Sequence, residues 1–213
     1  MKTKLISIFM IFLISIEVIY SMDEDAPLLS AINETCDIKK VETLLKDGAN
    51  LNVKDYMGFT PLIQAVYYRC TDIVSLLLKF DKSNINDIDT DGNTALMYAA
   101  QHGVDVIEML LKAGADPNIQ NNRGETALMF AERFRGYDDN DNAKRDMEIL
   151  LNYGASLDLA DKEGKTALDI AEERSFESIK KLLIDKRKQI AKKEIAESAH
   201  MLPDLVDIVG EYL

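Results

Sequence analysis

The chain has 213 residues, with 37 acidic against 25 basic groups and a formal charge of −12. That length suits one domain or a short repeat array, and 47% apolar with 29% charged residues excludes wholesale disorder. So acidic a chain lacks the basic footprint that a nucleic-acid binder needs to displace phosphate counterions. Its two cysteines make neither a disulfide framework nor a four-ligand zinc site.

Lys2 and Lys4 precede an apolar stretch over residues 5–16, which Glu17 ends. The stretch has the length of a signal-peptide core and falls short of the about 20 residues a membrane span requires. The expectation is a signal peptide over residues 1–21, cleaved after Ser21, and an exported protein with no stable membrane span once it is removed. Val18, Ile19 and Tyr20 extend the apolar stretch, so an uncleaved membrane anchor is the alternative. Losing Lys2, Lys4 and Glu17 would leave 23 basic and 36 acidic groups, a net charge of −13.

The rest of the chain repeats itself. Gly58-x-Thr60-Pro61-Leu62-x-x-Ala65 recurs as Gly92-x-Thr94-Ala95-Leu96-x-x-Ala99, then from Gly124 to Ala131 and from Gly164 to Ala171. A Leu pair starts 11 residues after Ala65 (Leu76-Leu77), Ala99 (Leu110-Leu111) and Ala171 (Leu182-Leu183), but 19 after Ala131 (Leu150-Leu151). The threonines are spaced by 34, 32 and 40 residues, so the same excess of 8 appears twice, and one insertion near 136–143 explains both. Gly48-Ala49, Gly114-Ala115 and Gly154-Ala155 follow the Leu pairs, and a degenerate first unit starts at Ala26. Thr is a good N-cap and Pro or Ala suits the first helical turn, so each unit predicts a short helix, a turn and a second helix that Gly ends. The polar stretch before the next Gly predicts an exposed hairpin loop. A helix pair this short cannot bury its apolar face alone, so the units must stack. Cys36 and Cys70 fall near the interhelical turns of adjacent units. Stacked helices lie about 10 Å apart and a disulfide wants Cα atoms within about 7 Å, so two free thiols are expected.

The motif Asp55-x-x-Gly58-x-Thr60-Pro61-Leu62-x-x-Ala65 with Gly114-Ala115-Asp116-x-Asn118, at a period near 33, resembles the ankyrin repeat family. The resemblance implies an all-α ankyrin-repeat solenoid of about five helix-turn-helix repeats over residues 26–185, with short hairpin loops and extra C-terminal helices over 186–213. Where the family carries His after Thr-Pro-Leu, this chain has Ile63, Met97, Met129 or Asp169. Unit two lacks the helix-ending Gly, which predicts a looser joint near Phe80 and Asp81. Family partners lie across the hairpin tips and inner helices, which points to Tyr56, Met57, Phe59, Tyr67, Tyr68, Gln101, His102, Arg123, Arg133 and Phe134. The aromatic concentration in unit two has the composition of an interface hot spot, or else fills the seam under the degenerate first unit. The function implied is non-enzymatic binding of a protein partner, whose face is expected to be basic given the chain's charge. The expected state is a monomer.

Other motifs carry less. Asp87-x-Asp89-x-Asp91-Gly92 matches half a calcium loop, but Tyr98 stands where the bidentate Glu is required. His102 and His200 fall in different elements, and no nucleophile set or phosphate-cradling Gly loop is present, so neither enzyme nor cofactor is expected. Residues 202–213 resemble the opening helix of an F-box through Leu202, Pro203, Ile208, Tyr212 and Leu213, which implies an alternative role as an exported adaptor recruiting a host ubiquitin ligase. The plainer reading is an amphipathic capping or partner-binding helix.

Overall fold

A computed structural model describes residues 27–33, 35–101, 103–135 and 141–201, with the side chains of 104, 132–135, 141, 142 and 197–201 excepted. The signal peptide and the F-box-like segment lie outside the described residues. Those described are all-α, with ten helices and, as extended pairings, isolated bridges at Ile88–Thr94 and Ala160–Thr166. The chain divides into two compact units, Met1–Asp116 and Pro117–Leu213.

The first unit holds three helix pairs: α1 (Pro27–Ala31) with α2 (Ile38–Lys46), α3 (Pro61–Tyr67) with α4 (Thr71–Phe80), and α5 (Ala95–Ala99) with α6 (Val104–Ala113). The second holds α7 (Ala127–Arg135) with α8 (Asp141–Asn152), and α9 (Ala167–Glu173) with α10 (Glu177–Met201). Thr60 caps α3 by accepting from the Ile63 amide at 3.2 Å, and Thr94 caps α5 through the Met97 amide at 3.3 Å. Thr166 and Asp169 close a reciprocal capping box on α9. Gly114 ends α6 in left-handed geometry at φ 103°, where a side chain would be strained.

Each helix contributes few buried side chains: α4 sinks Ile73, Val74, Leu77 and Leu78. At about 1.5–3 kcal/mol per buried aliphatic, one pair cannot offset the cost of ordering its own backbone. Stacking supplies the rest, as α3 on α5 and α4 on α6 in the first unit, and α7 on α9 and α8 on α10 in the second.

The joint after α4 has no Gly, and polar side chains close it instead. The Asp81 carboxylate accepts from the Ser83 amide at 2.8 Å and the Ser83 hydroxyl at 2.7 Å, which holds its pKa below the ordinary value. Buried Asn84 donates to the Leu51 carbonyl at 2.8 Å, tying this joint to the one before it.

The expectation of two free thiols is overturned: Cys36 and Cys70 form a disulfide with a Cα–Cα distance of 5.4 Å. A helix-diameter spacing holds between helix axes, whereas the bridge runs between a turn and a helix start. Cys36 ends the α1–α2 turn in left-handed backbone (φ 47°), while Cys70 is the N-cap of α4, one step further along its own unit. The insertion spans the end of α7 and the start of α8; residues 136–140 lie outside the described set, and Ala143 is already a buried member of α8. No break marks residue 186: α10 runs from Glu177 to Met201 because the charged stretch contains no Gly or Pro. Lys186 and Arg187 pin it through Asn152 (2.8 Å) and Asp158.

Candidate partner-binding surface

Four hairpins are built alike. The side-chain Oδ1 of Asp55 accepts from the Met57 and Phe59 amides, both at 2.8 Å. Asp89 does the same for Asp91 and Asn93 at 2.8 Å, Asn121 for Arg123 and Glu125 at 2.9 Å, and Asp161 for Glu163 and Lys165 at 2.9 and 3.0 Å. Each Asp or Asn thus replaces water for two amides that a tight loop leaves without strand partners. The Gly three residues on takes φ near +80° in every case. Adjacent hairpins join main chain to main chain: the Thr90 amide donates to the Met57 carbonyl at 3.0 Å, and the Lys162 amide to the Arg123 carbonyl at 2.9 Å. A Cβ on Gly58 would come within 2.8 Å of the Thr90 nitrogen, so that contact also requires glycine.

The Asp87-Asp89-Asp91 motif is absorbed into this scheme. The remaining oxygen of Asp89 accepts the Tyr98 hydroxyl at 2.6 Å and the Asn93 carboxamide at 3.3 Å. Burial, then the bond to Asp89, push the Tyr98 phenol above its ordinary range.

Tyr98 also stands in an aromatic cluster. Phe59 and Tyr67 have ring centroids 5.2 Å apart, Phe59 and Tyr98 5.4 Å, Tyr67 and Tyr68 5.4 Å, and Tyr67 and Tyr98 5.7 Å. The last three contacts are edge-to-face, the arrangement ring quadrupoles favour. The hairpin supplies Phe59, α3 and its C-cap supply Tyr67 and Tyr68, and α5 supplies Tyr98. Tyr67 is the hub and is 45% exposed, whereas Phe59 is buried at 3%.

The ten residues singled out in the sequence divide by environment. Tyr56 (82% exposed) and Met57 (39%) stand at the first hairpin tip, and among the described ring contacts Tyr56 takes no part in the cluster. Tyr67 is exposed and Tyr68 half-buried. Phe59 is a correction: its side chain lies beneath Tyr67 and supports the surface from below. Its amide donates to Asp55 beside the fully buried Thr60, and its ring packs against Tyr67 and Tyr98. Gln101 is half-buried just after α5. Arg123 is exposed, yet its Nε lies 2.9 Å from buried Glu125. Arg133 and Phe134 belong to α7, but their side chains, like the whole of His102, lie outside the described residues. Tyr98 and Asp89 enter the sequence reading only through the calcium half-loop and not as part of this surface. The signal available was an aromatic residue in the helix after a hairpin Asp.

Among the described residues no group of acidic, His and Cys side chains could hold a metal ion, and no helix is long and apolar enough to cross a membrane. The family described as ankyrin repeats matches residues 9–89, 28–121, 82–139 and 113–194. The chain is 32% identical over 143 residues to human transient receptor potential cation channel subfamily A member 1, covering 66% of this chain and 12% of that protein. It is 32% identical over 143 residues to an ankyrin repeat protein of Acanthamoeba polyphaga mimivirus, covering 63% and 33%. It is 37% identical over 86 residues to bovine ankyrin repeat and SOCS box protein 3, covering 38% and 16%. The chain therefore spans a third or less of these relatives' lengths.

Proposed function

The chain belongs to the ankyrin-repeat family, whose members generally mediate protein–protein interaction, and from that premise we propose that it is a non-enzymatic binding module whose first unit carries the principal contact surface. The observation that supports this reading is Tyr67, an exposed ring held by three other aromatic side chains. Rigid aromatic anchors of this kind dominate binding energy because little side-chain freedom remains to be lost. Tyr56 and Met57 extend the surface to the hairpin tip.

We also propose that the protein works after export. The apolar segment at residues 5–16 supports that reading, and so does the Cys36–Cys70 disulfide, since such bonds persist in oxidising compartments and are rare in a reducing cytosol. The adaptor alternative depends on residues 202–213, which lie outside the described residues, and it rests on sequence alone.

The test is crosslinking capture with the full chain under oxidising conditions, comparing wild type with Tyr56→Ala/Tyr67→Ala. A hot spot costs about 2 kcal/mol or more on truncation, about thirtyfold in affinity, so the captured partner should be lost while the melting temperature barely moves. Undiminished capture by the double variant would remove the first unit from the interface.

A further inference from the structure

We infer that Asn33 is an N-glycosylation site, whose Nδ2 takes a sugar from a lipid-pyrophosphate-linked oligosaccharide in the compartment where the Cys36–Cys70 disulfide forms. This rests on the export reading and names a modification that follows from it.

The sequence supplies the acceptor pattern once. Of twelve asparagines, Asn33 alone has a hydroxyl residue two positions on, in Asn33-Glu34-Thr35. Chance also produces such triplets, so placement has to separate an acceptor from a coincidence. Asn33 and Thr35 are both exposed, as a bulky solubilising group requires, whereas Asn84, Asn93 and Asn121 are buried in the joint and hairpins. Both residues also lie outside the helices. Six residues, 32–37, separate α1 from α2, where three separate α3 from α4. A transferase therefore meets chain free of a helical ladder at this turn.

The two side chains are already joined. The Thr35 hydroxyl donates to Asn33 Oδ1 at 2.6 Å, and the Thr35 amide donates to the same oxygen at 2.9 Å. Two donors on that oxygen draw the carboxamide toward its charge-separated form, which makes an Nδ2 hydrogen easier to release. The turn also tolerates the product. Nδ2 carries two hydrogens and gives one to the Ser30 carbonyl at 3.1 Å. On transfer, Nδ2 bonds the anomeric carbon of the donor sugar. The bond from that carbon to the pyrophosphate oxygen breaks, its electron pair leaves with the lipid pyrophosphate, and the Nδ2 proton passes to a base of the transferase. One N–H and the whole of Oδ1 remain, which is enough to keep the bonds to Ser30 and Thr35.

The neighbouring residue points to the same compartment. Cys36 directly follows Thr35 and is bridged to Cys70, the chemistry of an oxidising lumen.

The experiment is translation of the full chain with endoplasmic-reticulum microsomes. Two readouts are taken: protection from added protease, and an electrophoretic shift that a peptide N-glycosidase removes, leaving aspartate at position 33. The protected chain should carry one shift. Asn33→Gln and Thr35→Val should lose it, Thr35→Ser should retain it, and protection should be the same in all. A protected chain without a shift, or a shift that survives Asn33→Gln, would overturn the site while export stands. A chain left open to protease would defeat the export reading and the site with it. In protein purified from its own source, mass spectrometry of the glycosidase-treated peptide holding residue 33 should find aspartate there, and an unmodified Asn33 would overturn the assignment.

Discussion

Reducing the Cys36–Cys70 disulfide should loosen the first helix pair before anything else in its unit. The bridge closes a loop of 34 residues between the α1–α2 turn and the start of α4. Taking chain entropy as −2.1 − 1.5R ln n, that loop is worth about 12.6 cal/mol/K, or about 3.8 kcal/mol at 25 °C. Backbone strain at Cys36 does not subtract from this figure. Ser175 (φ 60°) holds the same left-handed conformation at the corresponding turn of another helix pair, where there is no bridge, so the turn demands it and the disulfide does not impose it. Without the bridge, α1 and α2 are held by Leu28, Ile32 and Val41, each no more than 1% exposed, and by the Gln64 carboxamide donating to the Leu29 carbonyl at 3.1 Å. That is a small core, and among the described helices its stacking neighbours are α3 and α4. The assay is urea unfolding with and without dithiothreitol, joined to native-state hydrogen exchange. A Cys36→Ser/Cys70→Ser variant serves as a control, in which a serine N-cap on α4 returns at most about 1 kcal/mol. Exchange should rise first at the amides of α2 and only later at those of α5 and α6. A reduced protein within about 1 kcal/mol of the oxidised one, or exchange rising equally across the first unit, would refute the reasoning.

Two further predictions concern the hairpins. Gly58→Ala should cost more than Gly164→Ala: both residues sit at φ 80°, but only at Gly58 would the new Cβ come within 2.8 Å of the Thr90 nitrogen and disturb its bond to the Met57 carbonyl. The shared left-handed penalty is about 1–2 kcal/mol and the lost hydrogen bond adds about 1 kcal/mol, so equal losses in chemical denaturation would contradict the hairpin ladder. The third prediction is alkaline. Because the folded state holds Tyr98 above its ordinary pKa, it binds more protons than the unfolded chain above the unfolded phenol's value of about 10, so this contribution is complete below that pH and declines as pH rises through the folded value. Tyr98→Phe should lower stability at neutral pH by about 1–3 kcal/mol, through an Asp89 oxygen left with only the longer Asn93 bond, and flatten part of the alkaline decline seen in thermal melts.

The period, the threonine caps and the Gly helix ends were legible because each is a local requirement repeated in three or more places. Thr60, Thr94 and Thr166 each cap the helix that follows them, although their surroundings differ. The disulfide was not legible. It depends on a one-position offset between a left-handed turn residue and a helix N-cap, and spacing between like positions conceals such an offset. The aromatic cluster was half legible. Composition marked Tyr67 and Tyr68, but which ring is floor and which is surface depends on the direction of the Phe59 side chain and on Tyr98, contributed 31 residues later than Tyr67. At the joint after α4, where a missing Gly predicts looseness, Asp81, Ser83 and Asn84 supply side-chain bonds that the motif spacing does not reveal.

The self-closing hairpin has an evolutionary consequence. Asp55, Asp89, Asn121 and Asp161 satisfy their loops from within, and the Thr90–Met57 and Lys162–Arg123 bonds join neighbouring loops through main-chain atoms. An exposed tip side chain such as Tyr56 therefore carries little folding duty. Mutation can rewrite such side chains one hairpin at a time, and a duplicated unit can diverge in what it recognises while still clasping its neighbour, so new specificities remain accessible by single steps that never pass through an unfolded intermediate genotype.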